Sequence, residues 1–449
     1  MKLGMTGSPK KEFISRLFSE LERKRVDYFV MGEYESLPTD TGGSDIDIVL
    51  TEVTPQQLKE CLRYAMADGD VNLASYYTNP GAELYRFIAK DWGVQIDFLL
   101  NGLHYRGVRY YPTSKLESHT IYHNGIRVLE RQYGFYVDFF KEIIHNGCAK
   151  AKYCEALLQR IKDNENEVRE DVTACYSEET WTIIGQNLSV EKLNAAGAEI
   201  RNTILRSFDK KAFLLRKIQY SALRMMGRLL RLRPGYVIVV EGTDGSGKSA
   251  IINAITPWLN ECFHNGVVYN HLRPKLLPDI AILLGKRSAK EKVEVVDNPH
   301  SGKPSGLLGS LVRWNYYMLD YTVGYVIKVW TRIKTRSYVY LFDRYYYDYY
   351  IDPIRSRTNL PHWILRIGEL FVPKPDIVLC LGGEPEKIYA RKPETSLAEV
   401  TRQTDELRRF AAKQKNAVWI DTTKPIEDSM ADAKSAILLM MSTRFKDVL

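Results

Sequence analysis

The sequence predicts an α/β protein in three parts: an α+β domain over residues 1–148, a helical connector over 149–233 carrying a basic amphipathic helix, and a domain over 234–449 with a parallel sheet flanked by helices. Three observations predict it. Tyr236–Val240 is an apolar, β-branched run leading into Gly242-Thr-Asp-Gly-Ser-Gly247-Lys248-Ser249 and then a helical stretch, the strand, glycine loop and helix that phosphate binding requires. Ser44–Leu50 alternates polar and aliphatic residues, so Asp45 and Asp47 share one face of a strand. Residues 150–233 carry apolar residues at three-to-four spacing, as helices do.

Length and composition narrow the class. A chain of 449 residues, 45% hydrophobic and 26% charged, suits a soluble protein of two or three domains. It has no uninterrupted apolar run of eighteen residues, so no spanning helix is expected. The start, MKLGMTGSPKKEF, lacks an apolar signal core, and the six cysteines form no C-x-x-C pair. A reducing cytoplasm is the expected setting. Between Glu199 and Arg233 lie ten Lys and Arg against two acidic residues, an excess of eight that equals the net charge of the whole chain, +8. The remainder is near neutral, which argues against a nucleic-acid-coating surface.

The elements follow in order. Lys11–Arg25 has helical spacing, and Tyr28–Met31 reads as a strand closed by Gly32. The Asp45/Asp47 strand comes next. Gly93–Leu100 is a further strand, with Asp97 as a single carboxylate in an apolar run. Carboxylates side by side repel one another unless a cation lies between them, and a divalent metal is the usual reason to tolerate this. Tyr105–Val128 suggests a β-rich closure, Phe135–Ile144 a helix, and Glu155–Glu170 a solvent-facing helix. Phe213–Leu232 is the basic amphipathic helix, with a packed domain face, an anionic membrane or a charged polymer as its alternative partners. Pro234-Gly235 marks the next boundary, and Pro257 a stop within the helix after the glycine loop. Val267–Asn270 is a second strand of this domain, Gly285–Ser305 a loop, and Trp314–Thr335 a long aromatic-rich helix walling a pocket. Tyr338–Tyr345, Asp376–Leu381 and Val418–Asp421 complete the sheet.

Gly32, Asp45, Asp47 and Asp97 fall on the pattern of the nucleotidyltransferase fold of the DNA polymerase beta superfamily, which residues 10–145 resemble. The resemblance implies a metal-dependent site with Asp45, Asp47 and Asp97 as ligands and catalytic groups. One position departs: Glu33 stands where that family has Ser or Gly, and a carboxylate there opposes triphosphate binding.

From about Arg233 to the end, the chain resembles the thymidylate kinases. Glu241-Gly-Thr-Asp-Gly245 matches their phosphate loop, Asp343-Arg344-Tyr345 their strand-end motif, and Arg391-Lys-Pro-Glu394 their lid. The resemblance implies ATP held by Gly242, Thr243, Asp244, Gly245, Ser246, Gly247, Lys248 and Ser249, with Mg²⁺ on Ser249 and Asp343. Lys248, Asp343, Arg344 and Arg391 are the implied catalytic set. Asp244, Arg273 and Arg344 are expected at the phosphate acceptor, with Lys392 and Arg402 supplying lid charge that Gly245 does not. After Arg344 the small acceptor-reading serine is missing. In its place stand five tyrosines between Tyr345 and Tyr350, then Asp352, Arg355 and Arg357, a run similar to divergent thymidylate-kinase-like proteins of surface-polysaccharide gene groups, so Asp352, Arg355 and Arg357 are expected to read a different acceptor.

The expected function is an ATP-dependent phosphotransferase acting on an acceptor other than thymidylate, such as a sugar or glycan end, with a second, nucleotidyltransferase-like site. Two alternatives stand beside it: a nucleoside monophosphate kinase with an appended domain, and an ATP-sensing regulator that modifies a protein or RNA. Peripheral membrane contact through the basic helix and a homo-oligomeric state both remain open on this reading.

Overall fold

A computed structural model describes residues 8–51, 53–67, 70–208, 210–283, 306–356 and 358–449. The loop expected over Gly285–Ser305 and the side chain of Arg357 lie outside these residues. Among the described residues, no helix is long and apolar enough to cross a membrane.

The N-terminal strands are β1 (Tyr28–Met31), β2 (Ile46–Leu50), β3 (Asn72–Asn79), β4 (Ala82–Ile88), β5 (Gly93–Leu100), β6 (Leu103–Tyr105), β7 (Val108–Tyr111), β8 (Thr120–His123) and β9 (Ile126–Leu129). Apart from the β6–β7 hairpin they form one mixed sheet in the order β3-β4-β5-β2-β1-β9-β8. β2 and β5 run parallel, with Asp47 directly opposite Asp97. One face of this sheet, including Phe29, Met31 and Val49, packs on the helix Arg131–Asn146.

The second sheet is β10 (Tyr236–Gly242), β11 (Val267–His271), β12 (Val339–Asp343), β13 (Ile377–Gly382) and β14 (Ala417–Asp421), in the order β11-β12-β10-β13-β14. Every pairing is parallel. β10 is buried along its whole length, as its unbroken aliphatic run requires of a central parallel strand. The glycine loop therefore emerges at the carboxyl edge of the sheet, where ligands of open α/β sheets bind.

The packing changes several sequence expectations. Helices between Ala151 and Ser207 share a core with Arg131–Asn146, so the expected connector is mostly part of the N-terminal domain. The expected helix Glu155–Glu170 is two helices, Ala151–Asp163 and Glu165–Cys175, because the Asn164 side chain accepts from Glu167 N and caps the second. Pro257 does not stop its helix, which runs from Lys248 to Phe263. A proline inside a helix costs about 3 kcal/mol, and burial of Trp258, Leu259, Cys262 and Phe263 beyond it offsets that. The aromatic helix is Leu307–Leu319 continued by a π-helical stretch, Asp320–Trp330, and a last α-turn, Thr331–Thr335.

Pro234-Gly235 is a buried junction rather than an exposed linker. A single apolar cluster runs from Phe13 through β2 and β5 to Ile238, Ile255 and Ile437. The helix Lys248–Phe263 lies against the N-terminal sheet. Gly93 approaches it so closely that an added Cβ would stand 2.6 Å from Cys262 Cβ. Trp258 Nε1 donates to Ala89 O at 2.9 Å, and Lys10 pairs with Glu261 at 2.5 Å. The helix that begins at the phosphate loop is thus also the joint between the two domains.

Candidate functional site

β10 ends at Gly242 and β12 at Asp343, and the pairing of Val240 with Asp343 sets Asp343 beside the start of the loop. Gly245 and Gly247 adopt φ of 82° and 86°, which side chains disfavour, so glycine is required at both turns. Lys248 opens the following helix. Its Nζ folds back over the loop, donating to Gly242 O at 2.9 Å and Thr243 O at 2.8 Å. Burial pushes this amine down to about 8, with Arg344 adding to the effect against the pull of Asp244 and Asp343.

Asp343 accepts from Tyr269 Oη at 3.1 Å, and His271 Nδ1 lies 3.4 Å from the same oxygen, Oδ2. Its other oxygen, Oδ1, is buried with no hydrogen-bond partner. Burial works against the charge on Asp343, yet the bond from His271 and the nearby Lys248 and Arg344 hold it at about 2. An ionised carboxylate with an orphaned oxygen, beside Ser249 in the same cleft, fits a hard divalent cation such as Mg²⁺.

Arg344 is almost wholly buried and sits at φ 68°. Its Nη1 reaches both oxygens of Asp348 at 3.0 and 3.1 Å, and Nη2 reaches Asp244 at 2.9 Å. Arg355 holds both oxygens of Asp244, at 2.7 and 3.0 Å. Against the desolvation that would raise it, these arginines and Lys248 keep Asp244 well below the usual carboxylate range. Glu241 accepts from Tyr345 N at 2.7 Å and is pushed far up by burial and then by Asp348. Its second oxygen, Oε2, is buried with no hydrogen-bond partner.

The resulting cleft encloses about 330 Å³. Lys248, Arg344, Arg355, Arg391 and Lys392 line it against Asp244 and Asp343, so five cationic groups face two carboxylates and the space suits a polyanion. Three expected acceptor residues lie elsewhere. Arg273 is ion-paired to buried Asp320 at 2.5 Å and to Asp279, with its guanidinium over the Tyr317 ring. Arg402 pairs with Glu399 at 2.7 Å and donates to Ile351 O. Asp352 is buried and accepts from Arg355 N at 3.2 Å, anchoring the backbone of a cleft residue without lining the cleft. The tyrosines from 345 to 350 are also core residues, all less than 8% exposed, so they do not wall the pocket.

The second cluster lies on the N-terminal sheet. Asp45, Asp47 and Asp97 each present a carboxylate oxygen within 4.8 Å of the others. Gln95 Nε2 donates to Asp97 at 2.9 Å and to Asp45 at 3.4 Å, and Lys141 Nζ is 3.7 Å from Asp47. Burial, then the charges of Asp47 and Asp45, push Asp97 up to about 7. Burial also raises Asp47, opposed by Lys141. Three converging hard oxygens whose mutual repulsion holds a proton near neutrality fit a divalent cation. Glu33 is exposed and lies 3.7 Å from Lys152, which offsets part of its charge.

Sequence reasoning missed Glu241, Asp348, His271, Gln95 and Lys141. The first two had a local signal: a carboxylate ending a buried strand, and one four residues after Arg344 on the same helical side. Gln95 had one as well, two residues before Asp97 on the same face of β5; His271 and Lys141 act through contacts between elements and had none.

No known protein-family profile matches the chain, and no curated protein matches it. Among solved structures, the thymidylate kinase of Ehrlichia chaffeensis aligns with 45% of this chain and 100% of its own, at 16% identity and a TM-score of 0.32. That score transfers nothing from one chain to the other, and the chemistry stands on the cleft's own residues.

Proposed function

We propose that the C-terminal domain is an ATP-dependent phosphotransferase whose acceptor is not thymidylate but a phosphosugar or glycan end. The observation that carries the phosphotransferase reading is the cationic cleft at the carboxyl edge of the parallel sheet, with the orphaned oxygen of Asp343 beside Lys248 and Ser249. Phosphoryl transfer needs positioning and charge neutralisation more than covalent chemistry. The loop backbone from Gly242 to Ser249 holds the donor phosphates, and Lys248 turns from the loop carbonyls toward them. Ser249 and Asp343 would hold Mg²⁺, which would supply charge neutralisation to the donor phosphates. Arg391 and Lys392 face the cleft from the lid side and stabilise charge that builds on the transferring group.

The acceptor reading rests on Arg355. It occupies both oxygens of Asp244, the carboxylate that the thymidylate-kinase resemblance aims at the acceptor, and presents a cation in its place. Thymidylate and a phosphosugar both carry an anionic phosphate, so the discrimination lies in Asp244, whose two oxygens are taken and offer a nucleotide acceptor no free carboxylate. Two measurements test this. Lys248→Ala should lower ATP turnover by orders of magnitude in a folded protein; equal turnover removes the loop from the mechanism. The ratio kcat/KM should favour a phosphosugar or glycan terminus over thymidylate. Thymidylate phosphorylation at about 10⁴ M⁻¹s⁻¹ or more overturns the acceptor reading.

The aspartate cluster supports a second reading for the N-terminal domain, metal-dependent nucleotidyl transfer through Asp45, Asp47 and Asp97. Glu33 weakens triphosphate binding on this reading, and Glu33→Ser should strengthen it in a direct nucleotide titration.

A further inference from the structure

The helix Lys210–Leu230 is amphipathic, and it faces the unexpected way. Helices on soluble domains turn their apolar side inward. Here the contacts with the protein come from the other side. The turn at Gly107 lies against Tyr220 Cβ and the Arg216 carbonyl. Arg231 stacks on the Tyr77 ring at 4.8 Å, and Lys334 Nζ donates to Arg231 O at 2.6 Å. Phe213, Lys217 and Tyr220 are half-buried, with Ala212 and Gly227. At about 100° per residue, Leu214, Leu215, Ile218, Met225 and Met226 fall on the opposite half of the helix. All five are between 52% and 61% exposed.

We infer that this helix docks the protein on an anionic lipid bilayer, lying in the plane of the interface. Two facts select that occupant. Within the helix, from residue 210 to 230, there are six Lys and Arg and no Asp or Glu, a complement to an anionic surface. A second copy packed face to face would set these six charges against six more with no acid on either helix. A soluble polyanion would satisfy the charges and leave the apolar half in water. The helix is not apolar enough to span a membrane, which leaves the interface as the place where both halves are satisfied.

The test uses the full chain in vesicle co-sedimentation, with phosphatidylcholine alone and with phosphatidylcholine and phosphatidylglycerol at about three to one. These vesicle and salt conditions follow from the surface-charge argument. Binding should appear on the anionic vesicles and be at least about tenfold weaker on the neutral ones, and should fall when salt is raised. Each basic residue near such a surface is worth about fivefold, so K211Q/R216Q/R224Q should bind roughly 100-fold more weakly. L215S/I218S/M226S should also lose binding, with its circular dichroism and ATP turnover unchanged, because these side chains are more than half exposed. Equal binding by the serine variant overturns the proposal. So does a wild type that ignores anionic vesicles, whether it forms a dimer that the serine variant dissolves or binds heparin through the charges alone.

Discussion

Replacing Arg344 by Met tests the buried charge network at the base of the cleft. In the native protein its guanidinium holds Asp348 at 3.0 and 3.1 Å, and Asp348 is 2% exposed in its side chain. Met keeps the length and apolar stem and carries the same left-handed strain at φ 68°, so the comparison isolates the charge. Arg355 still holds Asp244 in the variant, which leaves Asp348 as the orphan. Breaking one buried pair by removing one partner costs about 3–5 kcal/mol. The pH dependence gives a second, independent sign. Burial already raises Asp348, and Arg344 opposes that rise. Without Arg344 the folded value climbs further above the unfolded one, so the variant is most stable at low pH and loses stability as pH rises. In the wild type, Asp244 is depressed on folding, so its contribution is present above the unfolded carboxylate range and lost as pH falls. The stability gap between the two proteins should therefore be widest near pH 8 and narrow toward pH 5. Urea unfolding followed by fluorescence of the seven tryptophans reads it. A gap under about 1 kcal/mol at pH 7.5, or one that does not change with pH, refutes the network as described.

Three further outcomes follow from the geometry. Because Asp97 holds its proton up to about 7, Mn²⁺ affinity at the aspartate cluster should rise by up to about tenfold per pH unit below 7 and level off above it; calorimetry in two buffers of different ionisation heat should show proton release at pH 6.5, and a flat profile removes the metal. Gly93→Ala should destabilise the protein by about 1–3 kcal/mol, since the new Cβ meets the backbone of Cys262 as well as its side chain; a variant within about 0.5 kcal/mol of wild type would mean that the helix does not lie against β5. Lys248 at about 8 should make phosphate affinity of the free protein fall as pH rises through that value; Lys248→Met should bind weakly at every pH, and a wild-type profile flat from pH 7 to 9 would show the amine to be unburied.

The phosphate loop was legible in the sequence because its meaning is local. A β-branched run, two glycines at forced left-handed turns and a helix start are fixed by neighbouring residues, and they form as expected at β10, Gly245, Gly247 and Lys248. The same holds for Asp45 and Asp47, whose shared face follows from strand alternation, while the register of β2 with β5 adds Asp97. Pairings across long stretches of chain belong to the tertiary structure alone. Arg344 reaches Asp244 across 100 residues and Arg355 reaches it across 111, and no periodicity encodes either contact. Arg273 looks like a free phosphate ligand in sequence, but a buried guanidinium goes to a buried acceptor, and packing set Asp320 beside it; Arg402 is held instead by a local partner, Glu399, three residues earlier on the same helix. The tyrosines after Arg344 stand where the resemblance places the acceptor pocket, but burial against β12 and Phe410 makes them core. The amphipathic helix had two faces in sequence. Which one turns outward depended on what Gly107, Tyr77 and Lys334 offered it, and they took the side of Tyr220 and Arg231, leaving Lys210, Lys211, Arg216 and Arg224 exposed.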